Sequence, residues 1–146
     1  MSEPLRKPSS RPSADDASLI TRARSRLDFA VLGFNRHSIL VERYRVAVAQ
    51  FRESRQTYGE GAADRERLRA ARANAAIHRS LVRDAVREFV HQLRDSGMAP
   101  EVALVAVKHR LTLSVTAATP GAPSCEAALL ETDASSWAIQ AYYDAA

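Results

Sequence analysis

The sequence contains a single cysteine, Cys125, among its 146 residues, and it has few residues that build loops. One thiol excludes a disulfide within the chain, so nothing indicates an oxidising compartment. Only five glycines are present, and there is no glycine-rich phosphate loop, GxSxG motif or HExxH motif. We therefore expect a non-enzymatic protein that has no catalytic residues, no cofactor and no metal site.

Long apolar runs are also missing. No stretch reaches the roughly 18–20 apolar residues that a membrane span requires. The N-terminal segment "MSEPLRKPSSRPSADD" has no apolar centre of the kind found in secretory signals. Its prolines and basic residues predict a disordered basic tail over residues 1–14, followed by a single helical domain over 15–146. The expected location is the cytoplasm, without membrane contact.

Alanine and arginine are the abundant residues. The chain contains 27 alanines, which favour helix over strand. Arginine outnumbers lysine by 19 to 2, a bias typical of a GC-rich genome, so the high pI of about 9.7 says little about nucleic acid. Non-specific phosphate binding remains an alternative, although it is not favoured. The candidates for such a basic patch are Arg22, Arg26, Arg36, Arg43, Arg45, Arg52 and Arg55.

Heptad spacing dominates the first two thirds of the chain. Apolar residues recur every seven positions from Ile20 and again from Ala23. This spacing predicts a long helix with a coiled-coil-like seam over about 15–57. The glycines of "YGEG" at 58–61 are predicted to end it, and a second seam predicts a helix over about 62–96. Two long helices joined by a short loop predict an antiparallel hairpin.

Two histidines fall within these seams. A chain reversal near residue 60 would place His78 opposite Glu42, whereas His37 lies one and a half turns earlier on the first helix. We expect a hydrogen-bonded histidine inside a bundle. Whether His37 and His78 meet is left open, with a metal site or a pH-sensing site as the alternative.

The segment "GMAPEVALVAVKHRLTLSVTA" follows the hairpin. Gly97 is expected to end the second helix, and the next helix is predicted over about 99–113. Apolar and polar residues alternate near its end, so a strand over 109–117 is the alternative. The loop "TPGAP" then precedes a last helix over about 124–143.

On a helical wheel, the apolar residues of this third helix fall on two nearly opposite sides. A DNA-reading helix needs polar side chains, and none precedes Lys108 except Glu101 in the first turn. A helix that is apolar on both sides is either central in a bundle or covered by a partner. The candidates for an interaction surface are Val102, Leu104, Val105, Val107, Leu111 and Leu113, together with Trp137 of the last helix.

The segment "EFVHQLRDSG" resembles the phosphoacceptor segment of histidine phosphotransfer domains. In that family an exposed histidine on a four-helix bundle is followed by leucine, lysine and glycine. His91, Leu93 and Arg94 occupy the first three of these places, whereas Asp95 stands where the family has glycine. The resemblance implies a signalling protein that uses His91 as its phosphoacceptor.

Together these patterns predict an all-α protein. We expect a long antiparallel hairpin with two shorter C-terminal helices packed against its bulkier end, as an irregular four-helix bundle. The alanine-rich far end of the hairpin would stay uncovered, which predicts a homo-oligomer. The function expected is regulatory or adaptor activity through contacts with an unknown protein partner. Phosphotransfer at His91 and non-specific nucleic-acid binding are the alternatives.

Overall fold

The computed structural model describes residues 14–54, 58–118 and 125–144, and these are helical almost throughout, with no strand. The protein is therefore all-α, as predicted. The predicted tail, apart from Ala14, and the loop at 119–123 lie outside the described residues. The four helices are α1 (Ala14–Ser54), α2 (Tyr58–Asp95), α3 (Pro100–Ala118) and α4 (Cys125–Tyr143).

The hairpin of α1 and α2 reverses earlier than the glycine pattern predicts. Helix α1 ends at Ser54 and α2 begins at Tyr58, so Gly59 and Gly61 lie in the first turn of α2. The prediction that "YGEG" ends the first helix is therefore wrong. The first turn of a helix has N–H groups without intrahelical partners and tolerates glycine, so a pair of glycines does not by itself mark a loop.

The corner between α2 and α3 depends on Gly97, as predicted. Its φ angle is +89°, in the left-handed region that glycine adopts without strain. The N–H of Gly97 donates to the carbonyl of Arg94 at 2.9 Å, and the N–H of Met98 donates to that of Leu93 at 3.1 Å. This pair of bonds is a Schellman cap, which ends α2 and lets α3 begin at Pro100.

Two apolar clusters form the interior. The first cluster lies at the end of the hairpin where α3 and α4 pack, and all four helices contribute to it. Its fully buried large side chains are Leu27, Val31, Val82, Val86, Val90, Val107, Leu111 and Leu130. The described buried residues of the second cluster belong to α1 and α2; they are Val41, Leu68, Ala71 and Ala75. The shorter helices therefore cover the bulkier end of the hairpin, as predicted.

Polar contacts fasten α3 and α4 to the hairpin. The guanidinium of Arg110 on α3 donates to the carboxylate of Asp28 on α1, and this hydrogen bond raises the pKa of Arg110 above its ordinary value. Arg79 on α2 forms an ion pair with Asp133 on α4. The hydroxyl of Tyr142 donates to the carbonyl of Met98 at 2.6 Å, which joins the end of α4 to the α2–α3 corner.

Helix α3 is helical through Ala118, so the alternative of a strand over 109–117 is wrong. Ala103, Val107 and Leu111 are buried at a spacing of four residues, as one face of a helix requires. A strand would also need an edge to pair with, and the described ranges contain none. The alternation of apolar and polar residues therefore reflects a helix that has apolar residues on two sides.

Leu111 and Leu113 provide a direct test of this geometry. On a strand both side chains would face the same way, whereas here Leu111 is 1% exposed and Leu113 is 47% exposed. We expect Leu111→Ala to lower the free energy of unfolding by about 2–5 kcal/mol, because it leaves a cavity. Leu113→Ala should cost less than about 1 kcal/mol. Urea unfolding of both variants checks the prediction, and equal losses would contradict it.

Candidate interaction surfaces

A groove of about 630 Å³ runs between α1 and α2, and the described residues that line it all belong to these two helices. We call it the hairpin groove. It extends from Ser25 and Glu88 at one end to His37 and His78 at the other, which is about three helical turns.

Large apolar side chains at the hairpin groove are exposed to solvent. Phe29 is 79% exposed, the highest value among the exposed large apolar side chains, and Leu32 and Leu81 are 38% and 49% exposed. Small residues lie between them, namely Ala30 and Ala85. These exposed apolar side chains line one groove and make it a candidate contact surface.

Charged residues border the same groove in an ordered way. All those contributed by α1 are arginines, Arg26 and Arg36, and all those contributed by α2 are carboxylates, Asp84 and Glu88. Arg26 and Glu88 form an ion pair at 2.5 Å across the groove. The α1 side of the groove is therefore basic, and the α2 side is acidic.

The rings of His37 and His78 stack at the end of the groove, with centroids 4.2 Å apart. Gly33 makes this contact possible, because a Cβ atom there would lie 2.8 Å from Nδ1 of His78. Nδ1 of His37 is buried without a hydrogen-bond partner among the described residues. Burial lowers the pKa of His37 below its ordinary value, and the nearby His78 lowers it further. The arrangement favours a neutral imidazole at residue 37.

The structure settles the question of whether the two histidines meet. His78 lies against His37 and not opposite Glu42, because the chain reverses several residues before residue 60. Glu42 instead accepts hydrogen bonds from Arg45, which lower the pKa of its carboxyl group. Within the described ranges, no group of three or more potential ligands is close enough to hold a metal ion.

A second exposed apolar surface lies on α3. Val102, Val105 and Leu113 are 53%, 65% and 47% exposed, and we call them the α3 stripe. The other predicted surface residues of α3 do not belong to it, because Val107 and Leu111 are in the core and Leu104 packs against it. Trp137 is half-buried on α4, with the guanidinium of Arg79 at 5.2 Å from its ring centroid.

His91 is in a setting that does not favour phosphotransfer. Its Nε2 atom is buried and has no hydrogen-bond partner in the part of the chain that the structure describes. Arg94, which stands in the place of the lysine in the phosphotransfer motif, donates to the carbonyls of Ala141, Tyr142 and Asp144. It therefore caps the C-terminus of α4, where a cation is favoured by the helix dipole.

The predicted basic patch is partly neutralised. Arg26 and Arg45 form ion pairs with Glu88 and Glu42, and Arg55 lies outside the described residues. The remaining candidates are exposed and make no ion pair with a described residue; they are Arg22, Arg36, Arg43 and Arg52. A sequence-independent phosphate contact needs several unpaired cations on one face of the protein. At the hairpin groove, the carboxylates of α2 lie beside the arginines of α1 and weaken such a contact.

The groove residues Phe29, Leu32 and Leu81 were not among the sequence-predicted contact residues. Each lies off the heptad seam, on the side of its helix turned away from the core. A wheel of α1 would have shown Phe29, Leu32 and Arg36 on one side at spacings of three and four. Their opposition to Leu81, however, depends on the register of the hairpin.

Comparison of the chain with protein-family models, with curated proteins and with solved structures gave no match. Among the described helices, none combines the length and the hydropathy needed to cross a bilayer.

The stacked histidines predict a pH-dependent stability. Because the pKa of His37 is lower in the folded chain than its ordinary value of 6.5, the unfolded chain binds the proton more tightly. The contribution of neutral His37 to stability is complete above pH 6.5. It is lost as the pH falls from 6.5 through the lower pKa of the folded chain. We expect urea unfolding to show a loss of stability as the pH is lowered from above 6.5 to below it.

Two variants assign this loss to residue 37. His37→Phe retains a ring for stacking but cannot titrate, so its stability should change less over the same pH range. His109→Gln removes an exposed histidine of α3 and should behave like the unmodified chain. Equal pH dependence in all three proteins would contradict the assignment.

The effect of Gly33→Ala on the free energy of unfolding should have opposite signs in the native chain and in a His78→Ala variant. Alanine is favoured over glycine in a helix by about 0.8–1 kcal/mol, but its Cβ atom would meet the ring of His78 at 2.8 Å. Gly33→Ala should therefore lower the free energy of unfolding in the native chain and raise it in a His78→Ala background. Urea unfolding of the four proteins measures this coupling, and a stabilising effect in both backgrounds would contradict the close contact.

Proposed function

We propose that the protein is a non-enzymatic regulatory or adaptor protein that acts through protein–protein contacts and self-associates. The observation that carries this proposal is the α3 stripe, where Val102, Val105 and Leu113 are exposed on a helix whose opposite face is buried. Leaving three large aliphatic side chains in water is unfavourable, and a partner that covers them gains the free energy of their burial.

The hairpin groove supplies a second contact surface, made by different helices. Its exposed Phe29 and Leu81 are bordered by charged side chains, as in protein interfaces that have an apolar centre and a polar rim. Two separate apolar surfaces on one small bundle suit a protein that holds two other chains, or a copy of itself and one other chain. The presence of two such surfaces supports an adaptor role more than a role that needs no partner.

Affinity capture tests the proposal at the α3 stripe. The full chain and its Val105→Asp variant are used as bait in extract of the source cells, and co-purifying proteins are quantified by mass spectrometry. Burying a carboxylate in an apolar interface is strongly unfavourable, so we expect specific partners to be depleted at least about tenfold with the variant.

Lys108→Gln is the matched control, because Lys108 is exposed on the same helix but is not part of the stripe. It should retain the partners that Val105→Asp loses, and circular dichroism should show that both variants are as helical as the native chain. Identical sets of partners with all three baits would overturn the assignment of the α3 stripe.

A further inference from the structure

The hairpin groove has a property that the α3 stripe lacks. Its basic edge is complementary in charge to its acidic edge, so the groove of one copy matches the groove of a second copy. Arg26 and Arg36 border it on the α1 side, and Asp84 and Glu88 border it on the α2 side. A strongly basic or acidic ligand would meet as much repulsion as attraction there. A surface with one basic and one acidic edge instead matches a copy of itself turned by a two-fold rotation.

The direction of the two-fold axis follows from these edges. If the axis is parallel to the helices, α1 of one copy lies over α2 of the other, and basic edges face acidic edges. If the axis is perpendicular to the helices, α1 lies over α1 and arginines face arginines. Like charges across an interface are disfavoured, so the parallel axis is selected.

The apolar residues fit the same arrangement. Arg26 lies level with Glu88 and His37 level with His78, so Phe29 is level with Ala85 and Gly33 with Leu81. Rotation about an axis parallel to the helices preserves these levels. Phe29 of one copy then faces Ala85 of the second copy, and Leu81 lies at the level of Gly33, beside the ring of His78. Packed helices interdigitate when large side chains of one helix lie opposite small residues of the other.

The two charged residues that such a contact would use are not strongly engaged within the chain. Arg36 forms no ion pair with a described residue, and the ion pair of Asp84 with its neighbour Arg83 has a separation of 3.8 Å. Arg26 and Glu88 are already paired. Arg36 and Asp84 are therefore the charges that a second copy can meet. They lie on facing edges but at different levels, because Arg36 is level with His78 and Asp84 is level with Ala30. Six residues separate these levels, roughly 9 Å along the helix, so the two charges attract each other without forming a close ion pair.

We propose that the hairpin groove binds the same groove of a second copy of the chain, about a two-fold axis parallel to α1 and α2. The dimer contact is a four-helix layer with Phe29 and Leu81 buried at its centre, and with Arg36 near the acidic edge of the second copy. This inference rests on the proposed function, because it names the partner for one of the two surfaces.

Sedimentation equilibrium of the full chain tests it, using Arg36→Glu and Asp84→Arg separately and then mixed. Each variant alone places like charges on facing edges, so its dimer Kd should rise at least about tenfold. In the mixture, one chain keeps Arg36 and carries Asp84→Arg, while the other carries Arg36→Glu and keeps Asp84. Opposite charges then lie on facing edges at both sides, as in the native dimer, so the mixture should recover the native Kd.

Recovery on mixing separates an intermolecular contact from damage to the fold, because a destabilised chain would not be restored by another destabilised chain. The measurements belong at low ionic strength, since exposed charges are screened beyond about 10 Å at 0.1 M salt. Arg65→Glu is the matched control, as an exposed arginine of α2 outside the groove. It should leave the Kd unchanged.

Three results would overturn the inference: a monomer at all concentrations, a dimer that is indifferent to both substitutions, or a mixture no tighter than its components. If the dimer Kd does not depend on the groove charges, the chain self-associates through a surface other than the hairpin groove. A monomer whose partners still depend on Val105 leaves the adaptor role standing without self-association. Failure of this inference is thus distinct from failure of the proposed function.

Discussion

The close approach of α1 and α2 at Gly33 is the contact on which the rest of the arrangement depends. A glycine at this level lets the ring of His78 enter the space where a Cβ atom would lie and stack on His37. This contact belongs to one register of the two long helices, and the buried core residues of α1 and α2 pack in the same register. The register then determines which side chains share the core and which face each other across the outer groove. A shift by one turn would place different residues opposite Phe29.

The elements could be predicted because periodicity reports burial. Heptad seams indicated the long helices and their buried faces, and the two apolar sides of α3 correspond to Leu111 in the core and Val105 in solvent. The site of the chain reversal could not be predicted, because glycine is tolerated both in a loop and in the first turn of a helix. An error of several residues there was enough to place His78 opposite Glu42 instead of His37. Contacts between helices therefore needed the structure.

Two groups of charged side chains have different roles. One group joins helices within the chain, as Arg110 does with Asp28 and Arg94 does with the end of α4. The other group borders the hairpin groove, where Arg36 and Asp84 remain available. An excess of arginine over lysine therefore does not by itself indicate nucleic acid. Several of these arginines satisfy carbonyls and carboxylates of the same chain.

The core has an uneven thickness along the hairpin. Near α3 and α4 its described buried residues come from four helices, whereas around Val41 and Leu68 they come from α1 and α2. Two of the four buried residues of this second cluster are alanines, which bury little apolar area. We therefore expect this part of the hairpin to open locally at a lower cost in free energy than the four-helix end.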